Sequence, residues 1–208
     1  MIKLAGIFLI MTPRSLPVFQ KKKWYYISLE SGLLIVFTML LFAVAYLDKV
    51  ASIDLGNWVV SLSILWFLYM LSTIIVNNFR HEKELGEYVG CLVFHQDKIE
   101  LSERVFDLSS ISHIDLSKAY DVRGTSKNHM VSMIPRLSNG LDNTFNMTLV
   151  SGENVSCNFL QTETEKLAHF REVLVHYHKF GILSWLGLIK TLEIEDYDEI
   201  QSFKRQIG

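Results

Sequence analysis

The stretch WYYISLESGLLIVFTMLLFAVAYL, residues 24–47, decides how the rest of the chain is read. Between Ser31 and Leu47 it carries no charged side chain. A helix rises about 1.5 Å per residue, so roughly 20 mostly apolar residues cross the hydrocarbon core of a bilayer, and this segment predicts a membrane-spanning helix. A second stretch, WVVSLSILWFLYMLSTIIV at 58–76, sits in an uncharged run from Leu55 to Phe79 and has no polar face wide enough for a soluble amphipathic helix. Trp24, Tyr25 and Tyr26 open the first span, Tyr46 closes it and Trp58 opens the second, the places where amphipathic rings sit at headgroup level. The predicted membrane region is 24–80, a helical hairpin with spans at about 24–47 and 57–79.

Flanking charge predicts the orientation. Arg14, Lys21, Lys22 and Lys23 precede the first span, and Arg80 and Lys83 follow the second, whereas the turn Asp48 to Gly56 carries one cation against two anions. Cations next to spans favour the cytoplasmic side, so both termini are expected there, in a multi-pass protein of the cell (inner) membrane. Residues 1–23 read as a basic N-terminal segment. Within it, Lys3 and the apolar run Leu4 to Met11 sketch a signal peptide, but no small-residue cleavage site follows. No cleavage is expected; translation starting at Met11 and a run lying on the membrane surface both fit.

Composition agrees with an anchor plus a folded domain. Half of the 208 residues are hydrophobic and the mean hydropathy is +0.23, yet 20% are charged, so the apolar excess must be concentrated in a few segments. Net charge is +3 over 1–79, −3 over 80–180 and −2 over 181–208. That balance argues against a nucleic-acid partner. Cys91 and Cys157 fall in the stretch assigned to the cytoplasm, where thiols stay reduced, and read as core packers and not as a disulfide.

Beyond Val76 the second helix is expected to run on through Glu84 until Gly86 breaks it. From Tyr88 the apolar period changes to two. Tyr88 to His95 is rich in β-formers, and after the turn Gln96-Asp97, Ile99 and Leu101 alternate with polar residues, which predicts a hairpin. Phe106 with Leu108, and Ile114 with Leu116, supply further short strands; 128–134 reads as another, and 135–142 as a loop. A second hairpin is the clearest soluble feature: Phe145, Met147 and Leu149 alternate on one side of the turn Ser151 to Asn154, and Val155, Cys157 and Phe159 on the other. Thr162 and Glu165 then form a capping-box pair ahead of Leu167, Phe170, Leu174 and Tyr177, which recur at helical spacing until Gly181. One helix is predicted over 163–180, with Phe170 in the core.

Short antiparallel strands over 88–161 closed by one amphipathic helix resemble a pleckstrin-homology (PH)-like barrel, and a two-helix hairpin placed before such a domain is similar to the bacterial PH-like-domain membrane proteins, most of which have no assigned activity. The likeness covers 24–180 and rests on element order. It implies a fold class of membrane α-helical hairpin plus an α+β soluble domain, a PH-like antiparallel β-barrel or sandwich over 84–180 closed by its C-terminal helix. Phe170 and Tyr177 stand where eukaryotic members carry a tryptophan in the closing helix. The basic signature that grips inositol phosphates is reduced to Lys98 and Arg104 among Asp97, Glu100 and Glu103, so phosphoinositide binding is not expected.

Signals for catalysis are weaker. His81-Glu82-Lys83-Glu84-Leu85 begins like a zinc-protease motif but has Leu85 where the second histidine must stand. His169 and His176, each preceded four residues earlier by Glu165 and Glu172, could hold a metal but read better as solvated pairs. Glu30 is close enough to Trp24–Tyr26 to reach the interface, and so reads as an interfacial carboxylate and not as part of a transport path. The sequons at Asn146 and Asn154 read as strand and turn residues. No Gly-rich phosphate loop, nucleophile elbow or Cys/His cluster occurs. The expectation is therefore no enzyme, with no catalytic, cofactor-binding or metal residues and no cofactor.

The function expected is a membrane-anchored, non-enzymatic interaction module that shows its domain to a lipid or protein partner at the cytoplasmic face. The alternative is an accessory subunit of a transporter or membrane enzyme complex, for which small residues of the spans, such as Gly32, Ala43, Ser61 and Ser72, would be the contact. Residues 181–208 form an amphipathic and acidic C-terminal tail. If 182–189 is helical, Ile182, Trp185, Leu186 and Ile189 share a face that either lies in the bilayer interface or packs on the domain.

Overall fold

Residues 15–22, 28–50, 56–127 and 134–207 are described by a computed structural model. They fall into two units, one built from 22–85 and 124–139, the other from 15–21, 86–123 and 140–207. Residues 1–14, the Trp24–Tyr26 triplet and 128–133 of the expected extra strand lie outside the described residues.

In the first unit two helices run Leu29–Val50 (α1) and Gly56–Asn77 (α2). Each has 22 residues, about 33 Å of helix, against a hydrocarbon thickness of about 30 Å. Both are long and apolar enough to cross a membrane, and of their residues only Thr73 and Asn77 are buried. The Ser28 hydroxyl accepts the Ser31 N–H at 3.1 Å and so caps the start of α1. The expected extension of α2 to Glu84 does not occur: the helix stops at Asn77. The last carbonyls of a helix lack intrahelical donors. Here Asn77 O accepts the N–H groups of Arg80 at 3.3 Å and Arg136 at 2.9 Å. The chain then runs alongside 136–137, with Leu137 N–H donating to Arg80 O and Glu82 N–H to Leu137 O.

The second unit is a seven-stranded antiparallel sheet. Its strands are Ser15–Lys21 (β1), Gly86–Phe94 (β2), Lys98–Leu101 (β3), Arg104–Asp107 (β4), Ile111–Lys118 (β5), Asn143–Leu149 (β6) and Asn154–Phe159 (β7). The order is β4-β3-β2-β1-β7-β6-β5. Two expectations need correction. The stretch read as a basic N-terminal segment supplies the central strand, paired with β2 from Ser15↔Val93 to Lys21↔Gly86 and with β7 at Val18↔Phe159. Pro17, which has no N–H to give, accepts from Leu160 N–H through its carbonyl at 2.9 Å. The sheet is also open and not a closed barrel, because β4 and β5 are its two edges and are not paired with each other. A single turn of 3-10 helix, Leu108–Ser110, joins them, and Arg104 of β4 reaches Glu153 of the β6–β7 turn at 2.8 Å. The free edge of β5 is partly covered, since Ile114 N–H donates to Ile182 O at 2.8 Å.

Alternation carries the inner face of the sheet: Leu16 and Val18, Leu92 and Phe94, Phe145 and Met147 are buried. On it packs the helix Arg171–Lys179 (α3), through Leu174 and Tyr177. Phe94 meets Phe145, Phe170 and Tyr177 edge-on, with centroids 5.5 to 6.1 Å apart. The predicted helix over 163–180 is shorter than expected. It opens with a 3-10 turn at Leu167–Phe170; residues 163–165 are a bend and Lys166 is extended. Thr162 Oγ1 does accept the Glu165 N–H at 3.1 Å, but as a reverse turn that also pairs the two backbones, not as a helix cap. Thr162→Ala is accordingly expected to shift the urea midpoint by only a few tenths of a kcal/mol in stability, below the ~1 kcal/mol of a true cap.

Under the sheet's other end lies a buried polar knot. Asn143, fully buried, donates through Nδ2 to the carbonyls of Asp121 at 2.7 Å and Gly140 at 2.8 Å, and accepts the Asp121 N–H on Oδ1 at 2.8 Å. Gln161 Nε2 donates to the same Oδ1, and its Oε1 takes the Leu167 N–H at 2.9 Å. Gly140 closes the knot at φ +76°, where an added Cβ would collide with Gln161 O.

The residues after 181 are part of this core. Trp185–Thr191 (α4), capped by Ser184 Oγ on Gly187 N–H at 3.0 Å, and Tyr197–Ile207 (α5) bury Leu188, Thr191 and Phe203. Ile182 and Leu183 are buried and Ile189 packs on the same cluster. Of the two readings of the tail, the structure has the packed one, leaving Leu186 exposed.

Candidate functional site

Several polar side chains of the hairpin are bonded between its helices or along them. Trp66 Nε1 donates to Thr38 Oγ1 at 2.9 Å, and Thr38 donates in turn to Leu34 O at 2.7 Å. The Ser63 and Thr73 hydroxyls likewise return to carbonyls four residues back. Every such bond removes a polar group that lipid could not satisfy. Glu30 lies at the start of α1, where its carboxylate takes Arg80 Nη1 at 2.6 Å and its carbonyl the Tyr69 hydroxyl at 3.3 Å. Elsewhere the helices show side chains such as Val36, Met39, Phe42, Ile64 and Phe67, each about half exposed or more. Exposed apolar side chains in such number along two helices are what soluble monomers rarely leave in water.

The end of α2 is held by the segment between β5 and β6. Lys127 Nζ reaches Glu82 Oε2 at 2.6 Å, Arg136 Nε donates to Ser126 Oγ at 2.7 Å, and Asn139 Nδ2 donates to Lys83 O at 3.2 Å. Glu82 of the zinc-protease-like stretch is thus an ion-pair partner. Sequence reading missed this role of 124–139, because nothing in a polar loop announces which distant backbone it will pair with.

In the sheet unit the singled-out residues do not converge. Lys98 Nζ binds Glu100 Oε1 at 2.6 Å; that hydrogen bond raises the lysine's pKa and lowers the carboxylate's. His95 Nε2 is 3.3 Å from the same oxygen. Arg104, beyond its bond to Glu153, lies 4.8 Å over the Phe106 ring. The two remnants of the basic signature are thus each engaged with an acid. His169 Nδ1 sits 3.2 Å from Thr164 O, not on Glu165, and among the described residues no three His, Cys, Asp or Glu side chains gather as a metal site. Both cysteines are free. Cys91 is exposed, contrary to the expectation of a core packer, while Cys157 is partly buried and desolvation pushes its thiol up to about 12. Burial likewise raises the Tyr177 phenol, whose hydroxyl donates to His95 O at 2.6 Å.

Compared with protein-family models, curated proteins and solved structures, the chain matches none. Two helices long and apolar enough to span a membrane and a seven-stranded antiparallel sheet domain fit a membrane hairpin with a soluble domain.

Proposed function

We propose that this chain is a membrane-anchored, non-enzymatic interaction module whose hairpin crosses the bilayer twice and whose PH-like domain stands at the cytoplasmic face of a bacterial inner membrane. The observation that carries the reading is the insertion point. The chain leaves the sheet after Lys21 and returns at Gly86, and these two residues are paired neighbours on the central strands β1 and β2. A Cβ on Gly86 would collide with Gln20 O, so the two strands lie in close contact where the hairpin is inserted. The flanking cations, Arg14 with Lys21 to Lys23 and Arg80 with Lys83, support cytoplasmic termini.

Topology is tested with the exposed native Cys91. On intact cells a membrane-impermeant thiol reagent is expected to leave Cys91 unlabelled and to label Ser52→Cys in a Cys91→Ser background. The reverse pattern would overturn the arrangement. The alternative, an accessory subunit of a transporter or membrane enzyme complex, draws support from Gly32, beside which, among the described residues and apart from its own stretch of helix, no atom lies within 4 Å of an added Cβ. A photo-crosslinker at Gly32 that captures one membrane protein, where crosslinkers on the sheet domain capture none, would favour that reading.

A further inference from the structure

The C-terminal helices form a groove of about 550 Å3, lined by His178, Lys179, Trp185, Lys204 and Ile207. Its volume lies within the range that holds a small ligand or headgroup. Among the described lining residues, three side chains can carry positive charge and none a negative one. The acids of the tail are kept elsewhere: α5 places Asp198 and Glu199 in its first turn and Lys204 and Arg205 in its last. The floor is fixed, because the Trp185 ring stacks on Phe203 at 5.7 Å and Arg171 covers Phe203 at 4.6 Å, while His178 Nδ1 is tied to Leu183 O at 2.9 Å. Next in the chain to the lining residues Lys179 and Trp185 come Phe180 and Leu186, 52% and 73% exposed. Large apolar side chains held in water beside lysines and an indole are the make-up of a surface that enters the headgroup layer.

We infer that this groove docks on an anionic phospholipid surface, Lys179 and Lys204 meeting lipid phosphates while Phe180 and Leu186 enter the interface. The inference rests on the membrane-anchored reading, which places a bilayer within reach of the sheet unit at all times. It differs from the interfacial helix considered from sequence, because Ile182 and Ile189 are spent on the core and only the rim remains for lipid. Charge complementarity decides the occupant: a neutral apolar partner leaves the cations unmatched, and an anionic leaflet matches them along its whole surface.

The test uses the full chain in vesicles, with Cys91→Ser and an environment-sensitive fluorophore on Leu186→Cys; Cys157 is too buried, and too weakly ionised, to compete for the label. Exposed Val150→Cys serves as the control position. In vesicles of phosphatidylcholine with phosphatidylglycerol, emission at 186 is expected to shift to the blue and to be quenched by lipid-borne bromine. In phosphatidylcholine alone, in high salt, or with Lys179→Glu and Lys204→Glu, the shift is expected to vanish, and the label at 150 to stay in water throughout. Emission at 186 that is the same in both lipids, or that ignores the charge reversals, overturns the inference. So does a shift that appears in detergent and grows with protein concentration, which would seat a second copy in the groove. Loss of the protein from vesicles on alkaline washing would instead refute the anchor itself, a separate result.

Discussion

A chain in which residues 23–84 are replaced by Asn-Gly is expected to fold into the seven-stranded domain, whereas a fragment beginning at Gly86 is expected not to fold. Lys21 pairs with Gly86, and the Lys22 N–H donates to Leu85 O at 2.8 Å, so the ladder already extends to the residues the new turn would join. Asn-Gly is the two-residue turn whose twist suits such a hairpin. Without β1 the sheet order β4-β3-β2 and β7-β6-β5 loses its centre, and the buried Leu16, Val18 and Phe19 leave the core. Two three-stranded halves would then each present an unpaired inner edge. Circular dichroism and urea unfolding of both proteins decide the matter. A cooperative transition of equal midpoint for the 86–207 fragment would show that β1 is dispensable and that the domain is independent of what precedes the hairpin.

The second large effect belongs to Asn143. Asn143→Ala removes the donor to the carbonyls of Asp121 and Gly140 and the acceptor for Asp121 N–H and Gln161 Nε2, all within a fully buried site. Each buried group left without a partner costs about 1–3 kcal/mol, and the groups relax together, so a loss on the order of 3 kcal/mol or more is expected in the urea unfolding of the joined chain. Gln161→Ala, which leaves Asn143 its backbone partners, is expected to cost less. Equal and small losses for the two would mean that water replaces the side chains and that the knot does not hold the β5–β6 connection.

Much of this could be read along the chain, because it depends on local period. Uncharged runs of helical length located α1 and α2, and period-two alternation located β2 with β3 and β6 with β7, down to the turns at Gln96-Asp97 and Ser151 to Asn154. In both cases the signal lies between residues a few positions apart.

What the tertiary structure alone decided is long-range pairing. Ser15–Lys21 carries a proline and a basic flank and shows little strand signal, yet it becomes the central strand because β2 and β7, far off in sequence, each offer it an edge. Whether the sheet closes depends on the reach between β4 and β5, which no periodicity encodes; the three residues Leu108–Ser110 join the two strands without pairing them. The cap expected at Thr162 became a turn because Gln161 takes the Leu167 N–H and starts the helix later. In the tail, one amphipathic pattern served two environments equally well, core or lipid, since both reward apolar burial; only the presence of an uncovered sheet surface and the β5 edge beside Ile182 chose between them.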